Sequence, residues 1–262
     1  MTSQSLWQPQ QVHVNLLTRV SVLPTSLAWH QTSFPGIWFG CFESNHEVQD
    51  HPTTMLTRFD PGGFFPHHGH PGGEEILVLS GEFSDETGVH PPGTYMLNPE
   101  GFNHRPYSEE GCLTFVKLRQ HGGKTRHQVR RRIFEEPWQT GINPQIRVQP
   151  LYEQVGFSEK VWVEQWLPGT QLLDVIETEI KEIFVIQGTW CDELGCYPAG
   201  SWLRYPVNSP YSPSTEAGCL IYVKTYPIAD ETERFVVGDD FQHPEEAILW
   251  DQELALGRAM AF

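Results

Sequence analysis

Four residues in the first half of the chain carry side chains that bind metal ions, and their spacing is regular. His68 and His70 lie two positions apart, so on an extended strand both imidazoles point to the same face. Glu74 follows a Pro-Gly-Gly bend, and His104 ends a second turn-rich stretch, residues 93–104. Imidazole and carboxylate together suit zinc, iron, manganese or nickel. We therefore predict one divalent metal ion (Zn, Fe, Mn or Ni) whose identity these residues leave open.

Two adjacent residues offer alternatives for these roles. His67 neighbours His68 but points to the opposite side of a strand, so we assign it to solvent or to a position behind the ligands. Glu75 neighbours Glu74 and is the alternative carboxylate ligand. A single histidine in a strand is usually a surface or core residue, and only the combination of four ligand-type residues indicates a metal site.

The ligands stand in two glycine-punctuated segments that must bring them together. The first segment has intervals of five, one, three and six residues between Gly62, His68, His70, Glu74 and Gly81. The second has intervals of five, one and two residues between Gly93, Pro99, Gly101 and His104. This pair of motifs resembles that of the cupin superfamily, small β-barrels with a metal in the mouth. Ser108 departs from the broad motif, which has Asn at that position.

The residues around the ligands resemble one branch of that superfamily, the ChrR-like cupins. They are Gly73-Glu74-Glu75, Leu77-Val78-Leu79, Gly81, Phe83-Ser84-Asp85-Glu86, Gly111-Cys112 and Val116-Lys117-Leu118. This branch includes the sensor domain of an anti-sigma factor and relatives of acetylacetone-type dioxygenases. The resemblance implies that His68, His70, Glu74 and His104 hold the metal.

The second half of the chain repeats the first at a constant offset of 107 residues, which predicts a duplicated barrel. The matched pairs include Gly62 with Gly169, Gly81 with Gly188, Asp85-Glu86 with Asp192-Glu193, and Gly111-Cys112 with Gly218-Cys219. We predict an all-β chain of two tandem cupin (double-stranded β-helix or jelly-roll) barrels. The predicted parts are an N-terminal arm (1–28), a metal-binding barrel (29–135), a second barrel without metal ligands (136–242) and a C-terminal helix (243–262). Val12-His13-Val14 in the arm alternates as a leading strand does.

The second copy lacks the metal ligands. Val175, Glu177, Lys181 and Tyr211 stand where the first copy has His68, His70, Glu74 and His104. Valine cannot bind a metal and an ammonium repels one, so we predict a metal-free second barrel. A Glu177–Lys181 ion pair is expected to fill the space; the alternative is a small-ligand pocket that uses Lys181 and Tyr211.

Composition restricts the partners of the protein. The 262 residues carry a net charge of −16, which argues against a nucleic-acid surface, since phosphates are bound by clustered Lys and Arg. The one basic segment, 121–132, is interpreted as an exposed linker, with an anion-binding patch as the alternative. No apolar run reaches the ~18 residues of a membrane span, and the N-terminus does not resemble a secretory signal.

Five cysteines in no compact framework suggest a cytoplasmic protein with reduced, mostly packed thiols, although a redox role for Cys191 and Cys196 is conceivable.

Two functions remain open at this level. The first is a metal-dependent dioxygenase-like enzyme that acts on a small oxygenated compound, with Phe64, Phe65, Phe102 and Tyr107 as candidate pocket residues. The second is a non-catalytic metal-binding sensor or regulatory module. The helical zinc-binding domain of the anti-sigma factor has no counterpart before residue 50, which disfavours an anti-sigma role, and a storage-type bicupin is disfavoured by the N-terminus. The family resemblance makes a homodimer the default expectation.

Overall fold

The structure, a computed structural model, describes residues 11–45 and 51–228. These residues form 21 β-strands and one short 3-10 helix, Pro24–Ser26, and contain no α-helix. The predicted all-β class is confirmed. The helix predicted for 243–262 lies outside the described residues. No helix in the described part of the chain has the length and apolar character needed to cross a membrane.

The described chain divides into two compact units. Unit 1 contains residues 11–14 and 28–130, and unit 2 contains residues 15–27 and 131–228. The barrel boundaries drawn from the sequence, 29–135 and 136–242, stay predictions, as does the closure of each sheet into a barrel.

Unit 1 is built on one large antiparallel sheet with two small two-stranded sheets beside it. Its strands are β2 (Trp29–Gln31), β3 (Ile37–Glu43), β4 (Thr53–Phe59), β5 (His68–His70), β6 (Glu74–Gly81), β7 (Phe83–Asp85), β8 (Gly88–His90), β9 (Thr94–Asn98), β10 (Phe102–His104) and β11 (Cys112–Leu118). The large sheet has the order β12-β9-β6-β11-β4-β3-β2, where β12 is Val129–Arg132 at the unit boundary. β5 pairs with β10, and β7 pairs with β8.

Unit 2 repeats this arrangement. Its strands are β1 (Val20–Val22), β13 (Gln139–Thr140), β14 (Ile146–Tyr152), β15 (Lys160–Trp166), β16 (Val175–Ile176), β17 (Ile180–Asp192), β18 (Gly195–Pro198), β19 (Trp202–Tyr205), β20 (Pro210–Tyr211) and β21 (Cys219–Tyr226). The large sheet has the order β1-β19-β17-β21-β15-β14-β13, β18 pairs with β17, and β16 pairs with β20. The leading strand is thus Val20–Val22, at the edge of the unit 2 sheet, whereas Val12 makes only an isolated bridge to Ser44.

The core of unit 1 explains which carboxylate faces the histidines. Ile76 and Val78 on β6 belong to the buried core cluster, together with Met55 on β4 and Val116 on β11. Side chains alternate between the two faces of a strand, so Glu74 shares the core face with Ile76 and Val78. Glu75 lies on the other face, where its Oε2 is 3.1 Å from Nε2 of His121.

The interpretation of all five cysteines as reduced is wrong for two of them. Cys191 and Cys196 form a disulfide with an S–S distance of 2.06 Å. They stand directly opposite each other in the β17–β18 hairpin, with Cα atoms 4.0 Å apart, so the turn between them brings the sulfurs together. Cys41, Cys112 and Cys219 are free thiols.

Candidate metal centre

The pairing of two short strands brings the three histidines of the motif together. His68 and His70 occupy the same face of β5, and β10 runs antiparallel to it with His104 directly opposite His68. All three side chains are buried. Their ligand nitrogens lie within 4.8 Å of one another, the one such group of potential metal ligands among residues 11–45 and 51–228.

Glu74, the first residue of β6, lies beside two of these three histidines. Its Oε2 is 3.5 Å from Nε2 of His70 and 3.5 Å from Nε2 of His104. These two nitrogens are 3.0 Å apart. Two nitrogens that each bind one ion at about 2.1 Å, at right angles to each other, lie about 3.0 Å apart. The separation of the donors therefore fits one divalent ion, although a single N–H···N hydrogen bond has the same length.

Hydrogen bonds at Nδ1 of two histidines leave Nε2 as the nitrogen that can bind an ion. Nδ1 of His68 lies 2.8 Å from the carbonyl oxygen of Pro66, and Nδ1 of His104 lies 3.3 Å from Oδ2 of Asp85. Both partners accept a hydrogen bond, so Nδ1 carries the proton and Nε2 keeps its lone pair. This is the arrangement that metal-binding histidines have in proteins.

Burial keeps two of the histidines in the protonation state that a metal requires. Burial lowers the pKa of His68 to about 4, and it lowers the pKa of His70 well below its ordinary value. Both imidazoles are therefore neutral at pH 7 and need not lose a proton to bind an ion. Burial raises the pKa of Glu74, since the carboxylate has lost its water. A cation at the centre would restore the stabilisation that this charge has lost.

A second layer of polar groups surrounds the carboxylate. Asn98 donates a hydrogen bond from Nδ2 to Oε2 of Glu74 at 3.2 Å, and its Oδ1 accepts one from Nη2 of Arg130 at 2.7 Å. Arg130 belongs to the basic segment 121–132. The interpretation of that segment as an exposed linker is wrong at Arg130, which is partly buried, and at His121 and Arg126, which are buried.

A narrow, partly open cavity of about 20 Å³ adjoins the site in unit 1. Its wall contains His68 and Glu74, and the other lining residues are mostly apolar: Met55, Thr57, Phe59, Phe65, Ile76, Phe83, Pro106, Thr114, Val116 and Leu118. Of the four aromatic residues suggested by the sequence, Phe65 lines the cavity. Phe64 and Tyr107 are exposed, and the ring of Phe102 lies 5.2 Å from that of His104, outside the cavity wall.

The corresponding positions of unit 2 hold the ion pair predicted from the sequence. Nζ of Lys181 lies 3.0 Å from Oε1 of Glu177, and the hydroxyl of Tyr211 donates to the same oxygen at 2.5 Å. Tyr211 stacks on Tyr205 with ring centroids 4.1 Å apart. A salt bridge and an aromatic pair thus stand where unit 1 has its candidate metal ligands.

Sequence reasoning did not identify Asp85, Asn98 or Arg130 as parts of the site. Asp85 is among the motif residues given above, and Asn98 lies within the stretch 93–104. Asp85 recurs as Asp192 at the repeat offset, although His104 is replaced by Tyr211. The recurrence of aspartate at this repeat position was the signal that could have identified Asp85. Arg130 lies outside the motifs, and nothing in its sequence context marks it.

Comparison with known proteins supports the family and the fold of both halves of the chain. Residues 17–122 and 127–229 each match the family model described as the ChrR Cupin-like domain. No curated protein matches the chain by sequence.

Solved structures with the same fold include a candidate dioxygenase from Nostoc punctiforme, with 11% identity, a TM-score of 0.70, and coverage of 84% of this chain and 88% of that one. The pirin YhhW from Escherichia coli, solved in complex with nickel(II), has 13% identity, a TM-score of 0.60, and coverage of 80% and 99%. A salicylate 1,2-dioxygenase from Pseudaminobacter salicylatoxidans has 12% identity, a TM-score of 0.54, and coverage of 68% and 72%. At these identities the likeness concerns the fold.

Proposed function

Since the chain belongs to the ChrR cupin-like family, with one match in each half, we propose that it is a metal-dependent, dioxygenase-like enzyme that acts on a small oxygenated compound. The observation that carries the proposal is the grouping of His68, His70 and His104, with Glu74 beside two of them. Two of these four residues, His68 and Glu74, line an apolar cavity.

The four side chains supply the charge and donors that a divalent ion needs. Three neutral imidazoles and one carboxylate leave the site with a net charge of +1 once the ion is bound. A metal held by these residues would supply Lewis-acid chemistry at the site. The chain itself holds His68 and His104 with Nε2 directed inward, and Asn98 fixes the carboxylate of Glu74.

The cavity restricts the compound that reaches the metal. Phe59, Phe65, Ile76 and Val116 offer apolar contacts, and no Lys or Arg is among the residues of its wall. Apart from the ion itself, the cavity wall offers a carboxylate no cationic partner, which favours a compound with an apolar body and a carbonyl or hydroxyl oxygen. The dioxygenase part of the proposal is supported by the fold shared with the two dioxygenase-type structures.

A metal-binding sensor or regulatory module is the second candidate. It is favoured by the same four donors, because a zinc ion with four protein ligands in a closed tetrahedron has no position left for a substrate.

One experiment separates the two candidates. The protein is loaded with Fe²⁺ under anaerobic conditions, and oxygen consumption is followed with a panel of diketones, hydroxyketones and matched carboxylates. If the protein is an enzyme, we expect oxygen consumption with a neutral compound. The rate should be at least about 100-fold lower in His104→Ala, and this variant should also lose most of its metal. A protein that binds the ion through these residues but consumes no oxygen with any compound is a sensor or binding module. Full metal content in both His68→Ala and His104→Ala contradicts the site itself.

A further inference from the structure

Asp85 makes two distinct sets of hydrogen bonds, one through each carboxylate oxygen. Oδ1 accepts from the backbone N–H of Thr87 at 2.8 Å and from its hydroxyl at 2.5 Å, and it lies 3.2 Å from Nε2 of His90. Oδ2 lies 3.3 Å from Nδ1 of His104. The side chain is fully buried. One oxygen thus holds the β7–β8 turn, and the other contacts a residue of the candidate metal centre.

The second copy keeps the first of these contacts and changes the second. Asp192, at the same repeat position, accepts from the backbone N–H of Leu194 at 2.9 Å through Oδ1. Leu194 is the counterpart of Thr87, so the turn bond is the same in both copies. Oδ2 of Asp192 instead accepts from Tyr205 at 2.6 Å and from Arg19. The turn contact therefore belongs to the hairpin, whereas the contact of Oδ2 differs with the presence of a histidine.

From this comparison we propose that Asp85 is a positioning residue for the metal, which fixes the tautomer and the ring orientation of His104. The inference rests on the proposed metal site. By accepting a hydrogen bond from Nδ1–H, the carboxylate keeps the proton on Nδ1 and the lone pair on Nε2, the nitrogen that lies 3.0 Å from Nε2 of His70. Carboxylates that bond a metal-binding histidine in this way commonly change metal affinity 10- to 100-fold.

The Asp85→Asn substitution tests this role with little change in shape. The three donors around Oδ1 favour the amide oxygen at that position, which places the amide NH₂ against Nδ1 of His104. An NH₂ group requires Nδ1 to accept, so the proton moves to Nε2 and opposes the metal. Asp192→Asn is the matched control, because it removes the same carboxylate from the same hairpin position in the copy that has Tyr211.

The experiment measures zinc affinity by competition with a chromogenic chelator, together with urea unfolding of the metal-free proteins. Asp85→Asn should weaken zinc binding about 10- to 100-fold, whereas Asp192→Asn should keep wild-type affinity even where its unfolding midpoint falls. In long-range ¹H–¹⁵N spectra of the zinc-loaded wild type, His104 should show a protonated, hydrogen-bonded Nδ1, and this measurement decides the matter if Asp85→Asn does not fold. Wild-type affinity in Asp85→Asn, an equal loss in Asp192→Asn, or His104 bound through Nδ1 would overturn the inference. A wild-type protein that binds no zinc, iron, manganese or nickel at all identifies the proposed metal site as the failure.

Discussion

Lys181 Nζ lies 3.0 Å from Glu177 Oε1, and these two residues occupy the repeat positions of Glu74 and His70. The ammonium of Lys181 provides a fixed positive charge at a position where unit 1 has a carboxylate, that of Glu74. The hydroxyl of Tyr211 completes the arrangement by donating to the same carboxylate. In unit 2 the carboxylate of Glu177 is thus balanced by an ammonium of the same chain, whereas unit 1 presents donors that suit a metal ion.

The first prediction follows from this difference and concerns metal stoichiometry. Tyr211→Phe should leave about one ion per chain, because the residue donates within a salt-bridged group. The matched variant His104→Phe should lose most of the ion, because one of the donors is gone. Elemental analysis after dialysis measures both. Two ions per chain in the wild type, or a loss in Tyr211→Phe as large as in His104→Phe, would contradict the assignment.

The second prediction concerns the stability of the metal-free protein as a function of pH. The pKa of His68 is 6.5 when exposed and about 4 in the fold, so the unfolded chain binds more protons between these values. Stability contributed by His68 is therefore present above pH 6.5 and is lost as the pH falls toward 4. The full shift corresponds to about 3 kcal/mol.

Urea unfolding at pH 7 and pH 5, with a chelator present, tests this dependence. His68→Gln should show a shallower fall in unfolding free energy than the wild type, since glutamine does not titrate. Equal pH dependence in the two proteins would show that His68 is not held neutral by burial.

The third prediction concerns two motif glycines that both have positive φ angles. Gly81 has a φ of +68°, and a Cβ there would lie 2.0 Å from the carbonyl oxygen of Gly111. Gly62 has a φ of +78°, and a Cβ there would meet nothing within 4 Å. Gly62→Ala should cost about 1 kcal/mol for the backbone conformation alone. Gly81→Ala should cost about 3 kcal/mol or more, since backbone atoms must move as well.

Thermal and urea unfolding of the two alanine variants measure the difference. The repeat supplies an independent check, because a Cβ at Gly188 would lie 2.2 Å from the carbonyl oxygen of Gly218. Gly188→Ala should therefore resemble Gly81→Ala. Equal unfolding free energies for Gly62→Ala and Gly81→Ala would show that the sheet relaxes around the added methyl group.

The fourth prediction concerns the thiols. Burial raises the pKa of Cys41 to about 12, that of Cys112 to about 11 and that of Cys219 to about 12, so the reactive thiolate is scarce at pH 7. Alkylation of the native protein should be slow. Denaturation without reductant should expose three thiols, and reduction should release Cys191 and Cys196 as two more. Mass spectrometry counts them, and five reactive thiols without reductant would contradict the disulfide.

The sequence by itself determined the all-β class, the duplication and the strand face on which two of the candidate ligands lie. Side chains alternate along a strand, so the interval between His68 and His70 was enough to place both imidazoles on one face. The ungapped offset was enough to indicate two copies of one fold, and the family match over both halves confirms it. The substitution of Glu177 and Lys181 for two ligands also predicted their ion pair, because opposite charges four residues apart can meet wherever those ligands would have met.

Only the tertiary structure decided what surrounds the candidate ligands. Asp85 is 19 residues from His104, and Arg130 is 32 residues from Asn98. Such contacts depend on strand order and on the path of the chain after the last motif strand, and alternation along a single strand carries no information about either. The disulfide required the register of one hairpin, and the leading strand Val20–Val22 required a free edge of the unit 2 sheet. Periodicity identifies the face that a residue occupies, whereas its partner on that face is chosen by the packing of the whole unit.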